Sequence, residues 1–501
     1  MKSALLCLRL PRLCCLTDFQ TNDRLRTQPT SFTKRHLPAS LIMQRVSAMI
    51  WLTLKAASRY RLIWVLTALL IGGVVILPVI VKDDGSARGI TQILLTYTLA
   101  LTTSLLGFAT LWMACGTLAR DVEECQIQVV AVKPISRWEI WLGKFFGIMA
   151  LNAILIALAG VCIYGLLQWR AQQLPEKQRE VLRNEVLVAR GSVRGPIPDY
   201  ESQAELILQN RLKEKPVSPE DAKLLRTQIR TQVKAASEIV PPGTRRPWVL
   251  DMRFAKDSLK GQPLYLRIKF NAAQTSQSGT FVGIWRVGDF DSPRVHEEVM
   301  SLAPDTFHEF KVPSNLIDEK GNLTVNFINQ NDTALLFSLE DGFEVLYRQG
   351  GFGLNFVRGL CIVFFWLMFL AAVGLAASSF LSFPVASFVS IGVLIVGFSS
   401  GTISQVIEQG TIGAVNHETG VADHPAVIDY VALPIFKALL NLIKLVEGFS
   451  PIDSLSTGRS IGWLELGRAF LQICILLSGL VCGLGIWTFS RRELATAQGT
   501  S

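Results

Sequence analysis

Uncharged runs long enough to cross a bilayer alternate with charged stretches along this chain. The first run, Leu62–Val81, carries no charge. At 1.5 Å per residue it extends about 30 Å, one hydrocarbon core. A second run lies within Gly89–Ala119 and a third spans Phe145–Trp169. From Gly359 to Ile407, 49 residues hold no charge, too many for one helix and right for two. Ser382-Phe383-Pro384 is the expected break, because proline removes a backbone donor and clashes with the preceding turn. The last run, Ala469–Ser490, closes on Arg491-Arg492-Glu493. A charge at mid-bilayer costs about 2.5–3.5 kcal/mol on insertion, so charge-free runs of this length predict six transmembrane helices. Gly397/Gly401 and Gly143/Gly147 form GxxxG patterns that permit close helix approach.

Between the third and fourth runs the pattern changes. Residues 170–357 read as an inserted domain, helical over 172–240 and β-rich over 247–348. Ser218-Pro219-Glu220-Asp221 has the form of a helix start, with a capping serine, proline next and acids in the first turn. From Trp248 the period becomes two: Leu264, Leu266, Ile268 and Phe270 share one strand face. Phe281–Val287, Leu323–Ile328 and Leu335–Leu346 are further strands, which together suggest a β-sandwich, jelly-roll-like, acting as a rigid cap rather than a ligand site. The predicted fold class is therefore an α-helical polytopic membrane protein of six spans with an inserted extracytoplasmic α+β domain containing a β-sandwich. Its N-terminal membrane half is 43–169 and its C-terminal half 358–501. Between Glu408 and Arg468, Tyr430–Val446 reads as a re-entrant or interfacial helix, since Lys437, Lys444 and Pro434 argue against a full span. His417, Glu418, Asp423 and His424 lack a fixed metal-ligand spacing.

Composition agrees with this pattern. Half the residues are hydrophobic and 18% charged, too apolar for a soluble chain of 501 residues. The net charge of +9 sits entirely in residues 1–61, where 11 Lys or Arg face only Asp18 and Asp23. A basic segment before the first span is what the positive-inside rule places in the cytoplasm, so no nucleic-acid partner is implied. The nine cysteines form no CxxC pair, and none falls between Arg170 and Arg358, which excludes a disulfide framework or a zinc site by spacing. Residues 1–42 make a poor signal peptide, because Arg9 and Arg12 interrupt the apolar run, and resemble a transit peptide in composition. A start at Met43 or Met49 fits them best. Met43–Tyr60 is amphipathic and predicts a helix along the membrane face.

One charged, amphipathic segment, Arg120–Lys144, joins the second and third runs. Ser136 and Glu139 form a capping box, with Ile135 and Ile140 as its hydrophobic staple. A helix starting there places Trp138, Trp141 and Phe145 on one face and Arg137, Glu139 and Lys144 elsewhere, as for an interfacial helix that then bends into the membrane. Thr96, Thr103 and Thr110 recur every seven residues along the second run. Their hydroxyls either line a polar path or bond helix backbone, the commoner role.

The segment Lys133-Pro134-Ile135-Ser136-Arg137-Trp138-Glu139, followed by Leu142-Gly143-Lys144-Phe145-Phe146-Gly147, resembles the cytoplasmic loop of ABC-2 type transporter permeases over about 30 residues. The insert lies outside the resemblance. It implies a permease in a bacterial inner membrane with both termini cytoplasmic, paired with a homologue or a second copy. A separate ABC ATPase would hold ATP and Mg²⁺. By position, Glu123, Glu124, Pro134, Ile135, Ser136, Arg137 and Glu139 would contact that ATPase, and Lys144 would mark the start of span three. The chain has no GxxxxGK[ST] loop and no GxSxG or HExxH motif, so it is expected to bind no cofactor and to catalyse nothing itself. Export is the implied direction. The competing reading is a membrane-anchored interaction module that an ATPase moves without translocating a substrate.

Overall fold

A computed structural model describes residues 39–59, 61–81, 86–124, 126–127, 135–214, 219–255, 259, 261–274, 276, 278–289, 295–339, 341–409, 429–447 and 449–492. Pro134, Ser218 and the His417/Glu418/Asp423/His424 group lie outside them, as does nearly all of the basic leader.

Two helices open the described chain, α1 (Ala39–Arg59) and α2 (Arg61–Ile80). They are followed by α3 (Ala87–Glu123) and α4 (Arg137–Gln173), each of 37 residues. After the insert come α8 (Phe352–Ser378) and α9 (Phe383–Phe398). The C-terminal part holds α10 (Ser400–Gln409), α11 (Asp429–Glu447), α12 (Pro451–Ser456) and α13 (Trp463–Arg491), the last with a wide π turn over Phe470–Ser478. Four helices, α3, α4, α8 and α13, are each long and apolar enough to cross a membrane, and a fifth crossing results if the bent pair α1–α2 counts as one. The predicted first and fifth spans are the ones that differ. The fifth is divided at Ser399 into α9, of 16 residues, and α10, and the Ser399 hydroxyl donates to the Ile395 carbonyl at 2.9 Å.

The segment beginning at Arg137 is no separate interfacial helix that bends into the membrane. It is the first turn of α4, which runs unbroken for about 55 Å. The two glycine patterns also part ways. A Cβ on Gly147 would lie 2.6 Å from Thr53 Cβ, and one on Gly143 would strike Met49, so this pair seats α1 against α4 within one chain. Gly397 and Gly401 have open space around them.

The insert is less helical at its start than its polarity predicted. After α5 (Glu176–Val181) and a π turn (Leu182–Val186), Val188–Val193 forms strand β1. Helices α6 (Tyr200–Glu214) and α7 (Pro219–Glu238) then pair through Ala204, Leu208 and Ile229. Strands β2 (Ile239–Val240), β3 (Arg245–Asp251), β4 (Leu264–Ile268), β5 (Asn271–Ala272), β6 (Phe281–Val287), β7 (His296–Leu302), β8 (His308–Val312), β9 (Asn322–Asn329), β10 (Leu335–Leu336) and β11 (Phe343–Gly351) complete it. They build two four-stranded antiparallel sheets, β1-β11-β4-β8 and β3-β9-β6-β7, and a small β2-β10-β5 sheet. Leu264, Leu266 and Ile268 share one buried cluster with Phe281, Trp285, Val287, Leu323, Val325 and Phe327, so the inward faces of both large sheets build a common core.

Alternation predicts that the other face of β4 meets solvent, yet all five residues of this strand are buried. Tyr265 and Arg267 are covered because the outer face of the sheet carries the junction with the helices.

Candidate functional site

The four long helices share one architecture. Helices α3 and α13 begin, and α4 ends, near the insert, while α8 grows directly out of β11. Their other ends gather around the elbow between Glu123 and Arg137. The chain therefore has two functional ends, separated by the length of α3.

At the elbow end, polar side chains tie helix termini together. The N–H of Ser136 donates to Glu139 Oε2 at 2.8 Å, forming the glutamate half of the predicted capping box, while the Glu139 N–H goes to the Ser136 carbonyl at 3.0 Å. Glu139 is only 2% exposed and lies 3.9 Å from Arg45 of α1. Arg137 donates from Nη1 to the carbonyls of Arg492 at 2.7 Å, Ser490 at 2.8 Å and Phe489 at 3.4 Å. A guanidinium on the last carbonyls of a helix satisfies orphan acceptors and opposes the negative end of the helix dipole. Arg492 in turn donates to the Ser379 carbonyl at 3.2 Å, and Trp141 Nε1 donates to Ser379 Oγ at 3.1 Å.

Glu123 Oε1 accepts the Phe383 N–H at 2.9 Å, placing a carboxylate on the N-terminus of α9. Lys144 is buried and donates to Asp121 Oδ2 at 2.5 Å and the Thr117 carbonyl at 2.8 Å, locking α4 to the end of α3. Of the residues expected to meet an ATPase, Glu123, Arg137 and Glu139 thus hold this chain's own helices together. Glu124 and Ser136 are exposed and Ile135 is half-buried. Beside them Trp138 also stands exposed, while Trp141 and Phe145, expected on its face, are buried.

The hydroxyls expected along one side of α3 are not equivalent. Thr110 is buried and donates to Asn152 Oδ1 on α4 at 3.1 Å, whereas Thr96 and Thr103 are only half-buried. Thr98 and Thr102, one helical turn apart, return their hydroxyls to the Leu94 and Thr98 carbonyls at 2.6 and 2.7 Å. Asn152, an amide in an otherwise apolar run, was the legible mark of this contact.

The opposite end is a buried ionic joint that sequence reading did not anticipate. On β4, Arg267 faces Glu309 of β8 and Glu344 of β11 as direct cross-strand partners. Its guanidinium reaches Glu309 at 3.3 Å and Glu344 at 3.4 Å. Arg190 of β1 pairs with Glu309 at 2.8 Å, and Arg88 from the first turn of α3 with the same carboxylate at 3.0 Å and with Glu185 at 3.2 Å. From the loop after α12, Arg459 reaches Glu344 at 2.7 Å.

Burial works against ionisation of Glu309, but the charges of Arg190, Arg88 and Arg267 outweigh it and hold its carboxyl below the ordinary range. Burial lowers the Arg267 pKa, and it pushes the neighbouring Tyr265 phenol, also near Glu185, up to about 12. Backbone bonds close the joint. The Arg190 N–H donates to the Gly458 carbonyl at 2.9 Å, and the Ser460 N–H to the Arg190 carbonyl at 2.7 Å, so the loop lies along the free edge of β1. Gly458 has φ +72°, and a Cβ there would sit 3.4 Å from the Arg190 guanidinium. Asn355 of α8 holds the same loop, donating to the Arg459 carbonyl and accepting from the Ile461 N–H, each at 2.8 Å.

Among the described residues no three His, Cys, Asp or Glu side chains converge as a metal site. No protein family, curated protein or solved structure matches the chain.

Proposed function

We propose that the chain is the membrane-spanning subunit of an ATP-driven transporter of the ABC-2 type, moved by a separate ATPase that docks at the elbow. In this reading α2 and α9 complete a six-span bundle, the two large sheets are the faces of a β-sandwich outside the cytoplasm, and the termini lie inside. The carrying observation is that α3 and α4 both run from the elbow to the insert. A push delivered at Glu124–Trp138 therefore reaches the far side through two helices pinned to each other by Lys144 and Asp121. The chain supplies no catalysis and binds no nucleotide; a second copy or a homologue completes the transporter, and export is the direction.

The ionic joint favours a second reading on its own account. It fixes the β-domain to the starts of α3 and α8, as a device that transmits force to an outside partner without moving a substrate would require.

Co-purification tests docking. Glu124→Lys combined with Trp138→Ala alters two exposed side chains and should remove a co-purifying ATPase while leaving the melting temperature unchanged. Full retention of the ATPase by this variant would place the docking surface elsewhere. Reconstituted vesicles then separate the two readings, since only the transporter moves cargo across a sealed bilayer.

A further inference from the structure

A cavity of about 310 Å³ opens beside the joint, where the end of α4, the α5 segment and the start of α8 meet. Its size is that of a small-ligand site. Arg179 and Arg183 lie on one wall, the amides of Gln168 and Gln172 on another, and Tyr164 and Phe352 make an aromatic floor with ring centroids 6.4 Å apart. No carboxylate lines it. Arg179 is held in place because its Nη2 donates to the carbonyls of Gln172 at 2.9 Å and Leu174 at 3.2 Å. Arg183 is exposed and has no hydrogen-bond or ion-pair partner among the described residues. Two guanidinium groups and two amides with no opposing anion are a donor set for a phosphate or carboxylate.

The surroundings narrow the source of that anion. Trp169 and Arg170, adjacent on α4, have the composition of a membrane interface, with the Arg170 guanidinium 5.9 Å from the Trp169 ring centre. Close in sequence to the lining residues Tyr164 and Phe352, Val161 on α4 and Leu354 and Val357 on α8 are exposed apolar side chains. A free anion has no use for that apolar surface, whereas acyl chains attached to a headgroup do.

We propose that this cavity binds the phosphate of an anionic phospholipid from the leaflet on the β-domain side. Arg179 and Arg183 take the phosphate, Gln168 and Gln172 the headgroup hydroxyls, and these apolar side chains take the acyl chains. The inference rests on α4 and α8 crossing the membrane and is independent of whether an ATPase drives the chain.

The test is native mass spectrometry of the full-length protein in non-ionic detergent, titrated with phosphatidylglycerol or phosphatidylcholine, with and without inorganic phosphate. Phosphatidylglycerol should bind at one site per chain, about tenfold tighter than phosphatidylcholine, and an excess of inorganic phosphate should not displace it. Arg183→Gln should weaken phosphatidylglycerol about tenfold, the loss of one charge-assisted hydrogen bond, with no change in melting temperature. Arg179→Gln should do the same, and if it fails to fold for want of its backbone bonds, Arg183→Gln alone decides. Equal retention of both lipids, or unaltered binding by Arg183→Gln, overturns the proposal. Displacement by inorganic phosphate at matching concentration would assign the cavity to a soluble anion and overturn the lipid reading. ATPase co-purification is unaffected by these variants, so failure here is distinct from failure of the transporter reading.

Discussion

Glu309→Gln removes one charge from the joint and almost nothing of its shape. Glu309 is 7% exposed and receives Arg190 at 2.8 Å, Arg88 at 3.0 Å and Arg267 at 3.3 Å. After the substitution Arg88 keeps Glu185 and Arg267 keeps Glu344, but Arg190, itself 7% exposed, is left with no carboxylate among the described residues, only neutral acceptors: the Thr457 carbonyl at 3.0 Å and the new amide oxygen. Breaking a buried pair from one side costs about 3–5 kcal/mol, because the surviving charge stays desolvated without its partner. For a cooperative unit of roughly 150–250 residues that is a fall in melting temperature of about 6–20 °C. Intrinsic fluorescence is the assay, since Trp248 and Trp285 sit in the β-core with ring centroids 6.1 Å apart.

The pH dependence has a definite sign. The folded carboxyl titrates below its ordinary value of 4.5, so its contribution is complete above pH 4.5 and is lost as pH falls through the lower folded value. The variant should lack that acid limb. Adding Arg190→Met should recover part of the loss, because the orphaned charge disappears with it. A variant melting within a degree or two of the parent at pH 7, or a double variant no better than the sum of its singles, would show the joint to be solvated and the reasoning wrong.

Three further outcomes follow from contacts elsewhere. Arg137→Ala should destabilise the protein by about 2 kcal/mol through loss of charged hydrogen bonds to the last helix, and Arg137→Lys should recover part of it, since all three bonds come from the single nitrogen Nη1 and an ammonium also donates from one nitrogen; chemical denaturation checks both. Gly374→Leu forces a side chain between α8 and α3, where a Cβ already meets Ala114 Cβ at 2.7 Å and the Leu111 carbonyl at 3.2 Å; a melt should register a loss of about 1–3 kcal/mol or more. In an alkaline ultraviolet titration one phenol should lag with a midpoint of about 12, and Tyr265→Phe should remove that phase. Because the raised value favours the neutral phenol when folded, its stabilising share is intact below pH 10 and fades between 10 and 12.

What the sequence made legible was whatever depends on local pattern. Charge-free length marked α3, α4, α8 and α13 as crossing elements, proline after Ser382 marked the turn into α9, and the strand pattern marked β4, β6 and β9, whereas the single strand expected over Leu335–Leu346 is divided between β10 and the start of β11. One group of misses shares a cause: a charged residue at an alternating position looks solvent-facing until its tertiary partner is known. Arg267, Glu309 and Glu344 occupy positions on strands where outward polarity is the rule, and what covers them includes Arg459, 115 residues beyond Glu344. Arg137 reads as the polar side of an amphipathic helix, but its acceptors are backbone carbonyls more than 350 residues away, which no side-chain pattern encodes. The same logic reverses the glycine patterns, where Gly143 and Gly147 meet α1 and Gly397 and Gly401 meet nothing.

These hidden contacts fix the helix ends to the elements around them. Arg88 ties the start of α3 to the β-domain through Glu309, Asn355 ties the start of α8 to the loop before α13, and Arg459 ties that loop back to the domain through Glu344. At the other end Glu123 ties α3 to α9, Arg137 ties α4 to α13, and Lys144 ties α4 to α3. Helix α3 is therefore held by ionic contacts at both of its ends, through Arg88 at one and Asp121 at the other. Five arginines, Arg88, Arg190, Arg194, Arg267 and Arg459, share Glu185, Glu309 and Glu344 at the joint. Arginine outnumbers carboxylate there, so Glu309 and Glu344 each keep an arginine partner when any one arginine is removed.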